Sequence, residues 1–86
     1  MDGVFIVFGQ DSLGNRYYIS NTDPLIWTPN LYCAQQFHSI LTMCNEITHN
    51  YDNYHSIKRM INSGTISSLW FAQYEDDYEI SIKKVM

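Results

Sequence analysis

At Trp27-Thr28-Pro29 the hydrophobic pattern of the chain changes period, and that change limits the folds open to it. Before it, apolar residues stand in short β-branched and aromatic blocks. After it, they recur every three or four residues. Thr28 is a residue type that accepts a hydrogen bond from the free N–H groups of a first helical turn. Pro29 then suits the first helical position, where its missing N–H costs nothing. Ala34, Phe37, Leu41 and Cys44 come next, at spacings that share one side of a helix. Trp27, just before the cap, is placed to fix the angle at which the chain enters that helix. Trp27 and Phe37 are expected to anchor the core. The helix either runs from Pro29 to about His49 or breaks near Phe37, with Ser39 capping a second helix. Ile40, Met43, Cys44 and Ile47 keep helical spacing in both cases.

The flanks read as strands. Val4-Phe5-Ile6-Val7-Phe8 is apolar at every position, as in a strand covered on both faces. Gly9 to Asn15 is rich in turn residues, and Arg16-Tyr17-Tyr18-Ile19-Ser20 returns as a hairpin strand. Asn21 to Pro24 turns again, and Leu25-Ile26-Trp27 adds a short extended piece. Asn50 to Asn53 reads as a turn, with Asp52 or Asn53 capping another helix. Tyr54, Ile57, Met60 and Ile61 form its apolar stripe, and Gly64 suits its left-handed end. Leu69 to Tyr74 is a strand, Glu75-Asp76-Asp77 an acidic turn. Tyr78, Ile80 and Ile82 alternate with Glu79, Ser81 and Lys83, as in a strand with one wet face. The order β-β-α-α-β-β predicts one α+β domain over residues 1–86. Its terminal hairpins would join in a four-stranded antiparallel sheet, with the helices packed on one face.

Charge narrows the partners. The net charge is −4, and only 16% of residues are charged. Arg16, Lys58, Arg59, Lys83 and Lys84 form no basic stripe, which argues against direct nucleic-acid binding and against an anionic membrane surface. No apolar run approaches the ~20 residues of a membrane span. Met1-Asp2-Gly3 lacks a basic start and Val4–Phe8 is too short for an export signal, so a cytoplasmic protein is expected. Cys33 and Cys44 lie about 16 Å apart if they share one helix, too far for a disulfide, so two free, buried thiols are expected.

Catalytic and cofactor patterns are weak. Gly9 and Gly14 have a phosphate-loop spacing, but they lack the Lys-Ser or Lys-Thr that completes such a loop. Cys33–His38 and Cys44–His49 are spaced by five, off one helical face, so no metal site is predicted. No cofactor is predicted, and no Ser or Cys carries a local nucleophile signature, so the chain does not read as an enzyme.

Tyr18-Ile19-Ser20, Trp27-Thr28, Ala34 and Phe37 stand in an order that resembles a group of short bacteriophage and prophage accessory proteins. The resemblance covers the first half of the chain. It implies a class that includes inhibitors of host defence, anti-CRISPR proteins among them, acting in the cytoplasm of a bacterial host. The second half supplies the candidate site. Tyr74, Glu75, Asp76, Asp77, Tyr78 and Glu79 make an acidic and aromatic patch at the last hairpin. Such a patch can take the place of phosphates in a basic groove of a protein partner. The alternative reading is a structural or assembly protein that self-associates, as a homodimer in the simplest case, through a sheet edge or helix face.

Overall fold

The computed structural model describes residues 3–86; Met1 and Asp2, part of the opening weighed as an export signal, lie outside the described residues. The apolar run at the start becomes β1 (Val4–Gln10), the middle strand of one antiparallel sheet. Its neighbours are β2 (Arg16–Thr22) on one side and β4 (Ser68–Glu75) on the other. Val4, Ile6 and Phe8 point to one face and Val7 to the opposite one, all at most 2% exposed, which is why the run has no polar gap.

The sheet has five strands, not four, in the order β3-β2-β1-β4-β5. The extra strand is β3 (Leu25–Thr28). The turn at Asp23-Pro24 is closed by the Asn21 amide donating to the Pro24 carbonyl at 2.8 Å, and it folds Leu25 to Thr28 back along β2. The fifth strand, β5 (Tyr78–Lys84), pairs with β4 and forms the opposite edge.

The helix expected from Pro29 does not form. Thr28 ends β3, and its hydroxyl accepts from the Asn30 N–H, two residues on, a local bond that competes with helix capping. Asn30 then caps a single 3-10 turn, Leu31–Cys33. Ala34 is extended, and the chain passes between β1 and β2, which pair directly only where Phe8, Gly9 and Gln10 oppose Tyr18, Tyr17 and Arg16. Gln35 donates its N–H to the Ile19 carbonyl at 2.9 Å. Phe5 and Phe37 exchange both backbone bonds, at 2.7 and 2.9 Å. Leu31 and Ala34 therefore pack on the face of Ile6 and Phe8, whereas Phe37 is buried among Val7, Ile19 and Leu69 on the other. The segment crosses the sheet. That crossing dissolves the predicted stripe of Ala34, Phe37, Leu41 and Cys44: its first two members lie on opposite faces and Leu41 is exposed.

The break near Phe37 is real, and Ser39 caps the helix beyond it. Its hydroxyl accepts from the Thr42 N–H at 3.1 Å, opening α1 (Ile40–Glu46). Asn50, rather than Asp52 or Asn53, caps α2 (Tyr51–Ser63), by accepting from the Asn53 N–H. Asn53 is drawn inside the helix instead. Gly64 ends α2 at φ +79°, the left-handed value expected there. Met43, Ile47 and Ile57 from this helical half pack on the sheet face of Val7, Ile19 and Leu69. The thiols are free, but neither is fully buried: Cys33, at the end of the 3-10 turn, is exposed and Cys44 is half-buried.

Candidate protein-binding site

The β4–β5 hairpin carries all six candidate residues, and the structure divides them. Alternation along β4 sends Ala72 and Tyr74 to the face of Ile6 and Phe8, and Tyr74 is 4% exposed. Its hydroxyl donates to Glu79 Oε1 at 3.3 Å. Glu79 in turn receives both Arg16 guanidinium nitrogens, Nη1 to Oε1 at 2.6 Å and Nη2 to Oε2 at 3.4 Å. The Arg16 guanidinium lies 4.2 Å from the Phe8 ring centre. Tyr74, Glu79, Arg16 and Phe8 thus form one cluster within the sheet. Burial, and next the charge of Glu79, push the Tyr74 phenol up to about 12. The bond to Glu79 raises the Arg16 pKa further. Tyr74 is buried and the Glu79 carboxylate is held by Arg16, so the patch read from sequence is narrower than its six residues.

The tip remains at the surface. Glu75 and Tyr78 pair directly, leaving a two-residue turn of Asp76 and Asp77. Asp76 holds φ +53°, a conformation that Asp tolerates better than most residues. Asp76, Asp77 and Tyr78 are exposed, Tyr78 at 75%, and Glu75 is half-buried. The far end of β5 carries Lys83 and Lys84, both exposed. The hairpin therefore runs from an acidic tip to a basic tail.

Sequence reasoning missed two features. The Arg16–Glu79 pair joins residues that are 63 positions apart, and no local pattern announces it. The apolar side of β5 was expected to be covered, yet Tyr78, Ile80 and Ile82 are 75, 54 and 43% exposed. Ile82 pairs with Ala72 and so shares the face of Ile6 and Phe8, opposite to the one the helices cover. Opposite Gln73 and Tyr74, Ile80 is the extra residue of a bulge in β5, which shifts the register near the tip.

Other surfaces offer less chemistry. An apolar groove of about 370 Å³ lies between α1 and the end of β5, lined by Val7, Met43, Cys44, Ile47, Phe71 and Val85. A polar groove of about 580 Å³ lies where the Asp23-Pro24 turn meets the start of α2, beside His55 and Arg59. Among the described residues, no three His, Cys, Asp or Glu side chains gather as a metal site, and no helix is long and apolar enough to cross a membrane. Comparison with protein-family models, curated proteins and solved structures finds no match to this chain.

Proposed function

We propose that this chain is a protein-binding module that presents the acidic tip of the β4–β5 hairpin to a basic groove on another protein. The observation that supports it is the exposed Asp76-Asp77 turn, standing at the end of a hairpin whose base is fixed in the sheet. A rigid hairpin orders few residues on binding, so little conformational entropy is lost. The carboxylates would steer encounter and select a basic partner, and Tyr78 would supply the desolvated contact beside them. Tyr74 and Glu79 would act at the base of the hairpin, holding it in place through Arg16.

The groove this tip fits is one that otherwise takes nucleic-acid phosphates. With the resemblance to phage accessory proteins, the reading becomes an inhibitor of a host defence protein, a CRISPR effector being one such target, in the bacterial cytoplasm. It acts by occupancy and needs no cofactor or catalytic group.

The test is capture from a bacterial lysate with the wild-type chain and Asp76→Lys/Asp77→Lys in parallel, read by mass spectrometry. A protein held by the wild type, released by salt and not held by the double variant is the expected result. Once purified, it should lose nucleic-acid binding when the wild type is added. Equal retention by both chains removes the tip from the function.

A further inference from the structure

The outer edge of β5 is a second surface, independent of the tip, and two sets of bonds fix how its backbone points. Phe5 bonds to Phe37 on the β2 side of β1, so the even-numbered residues of β1 bond toward β4. Leu69 accepts from the Val85 N–H and donates to the Met86 carbonyl, so Leu69, Phe71 and Gln73 bond toward β5. Lys83 and Ser81, opposite Phe71 and Gln73, therefore turn their N–H and C=O groups inward. Ile82, between them, turns both groups away from the sheet. The opposite edge, β3, is only four residues long. Edge strands of soluble proteins are commonly shielded by prolines, inward charges, bulges or covering elements. β5 has one such device, a bulge at Ile80, since Gln73 pairs with Ser81 and Tyr74 with Glu79. From Ser81 to Lys84 its pairing with β4 is regular, it carries no proline, and Ile82 is exposed.

We propose that β5 pairs antiparallel with β5 of a second copy, about a two-fold axis near Ser81, to form a continuous ten-stranded sheet, five strands from each chain. The order of charges selects both the occupant and the direction. The strand starts beside Glu75, Asp76, Asp77 and Glu79 and ends at Lys83 and Lys84. Antiparallel pairing lays the lysines of each copy beside the acidic end of the other. Parallel pairing would set like charges together. A two-fold contact uses the same patch twice, so the strand must be complementary to itself, as this one is. Near the axis, Ile82 of each copy, which shares the face of Ala72, is brought toward the bulge at Ile80 of the other, on the side that the helices leave open.

Sedimentation velocity of the full chain from low to high micromolar concentration tests this. The expected mass rises from the 10.1 kDa of one chain toward twice that value, and high salt opposes the rise. Ile82→Pro removes the outward N–H and leaves the bonds to β4 intact, so it should stay at the mass of one chain with unchanged circular dichroism. Lys83→Glu/Lys84→Glu changes only exposed positions and should move dimer formation to at least about tenfold higher concentration, the effect of placing like charges across a paired edge. A wild type that stays monomeric at high micromolar concentration overturns the proposal and leaves the edge to a strand of another protein or to none. So does a lysine double variant that dimerises as the wild type does. Ile82→Pro keeps Asp76 and Asp77, so its loss of dimer is separable from a failure of the tip to capture a partner.

Discussion

Asn53 lies within α2 with 5% of its surface exposed, and its side-chain amide donates to the Thr22 and Glu46 carbonyls, each at 2.8 Å. Glu46 Oε1 accepts from the Thr22 hydroxyl at 2.8 Å and from the Gln35 amide at 3.2 Å. One side chain thus ties β2 to the end of α1, and its neighbours tie in the crossing segment. Asn53→Ala would leave two carbonyls without these donors in a water-poor site, a cost of about 2 kcal/mol or more. Urea titration should show a lower midpoint at unchanged slope. Tyr74 gives a pH signature at the same scale. Its folded phenol titrates at about 12, against 10.0 in the unfolded chain. Below pH 10 both states hold the proton and nothing changes. Above it the unfolded chain ionises first and binds fewer protons than the folded one, so stability falls as pH rises from about 10 toward 12. Tyr74→Phe should lack that component. Stability of the two proteins compared between pH 9 and 11 reads the difference.

At the level of elements, legibility tracked how local the signal was. β1 could be read because Val4, Ile6, Val7 and Phe8 are buried on one face or the other and Phe5 is half-buried, a pattern that needs nothing from elsewhere. The break before α1 was open because Ser39 has a capping hydroxyl but no Glu or Gln three residues on, and Thr42 stands there instead. Thr28-Pro29 misled because a threonine that ends a strand and one that opens a helix offer the same hydroxyl. Which backbone N–H it accepts from is settled by Trp27 and Thr28 pairing with Ile19 and Tyr18. The candidate site was legible only at its tip, because the turn is local, whereas the burial of Tyr74 and the pairing of Glu79 depend on β1 and β2. Capping tests the assignment of α2. Asn50→Ala should cost about 1 kcal/mol, while Asp52→Ala loses only a few tenths as a charge in the first turn. Thermal unfolding of the two variants distinguishes them, and a larger loss for Asp52 would mean that the helix begins later. Thr28→Ala, by contrast, should leave the helical signal of the chain unaltered.

The whole molecule is held by a chain that passes through its own sheet. Residues 35–37 sit between β1 and β2, so the cluster around Ile6, Phe8 and Tyr74 and the cluster around Val7, Ile19 and Ile57 share one connection. Neither face can open there without breaking the Phe5–Phe37 bonds. Phe37 is 2% exposed, and Phe37→Ala should cost about 3–5 kcal/mol through the cavity it leaves. For a domain of this size that is a large part of the total stability, so unfolding by circular dichroism and by tryptophan fluorescence should shift together. Trp27 and Trp70 report on the two faces, since Trp27 packs with the helical cluster and Trp70 with the opposite one. Hydrogen exchange extends the argument across the sheet. The Phe5 and Phe37 amides should exchange only with global opening, at the slow rate of the β1–β4 core. The Ile82 amide points outward, and in dilute solution it should exchange within the fastest class despite lying inside a strand. Raising the protein concentration should slow the outward Ile82 and Lys84 amides and leave Ser81 and Lys83 unchanged, because those inward amides are already bonded to β4. A protected Ile82 in dilute solution, or equal slowing along the whole of β5, would contradict the alternation on which the edge pairing rests.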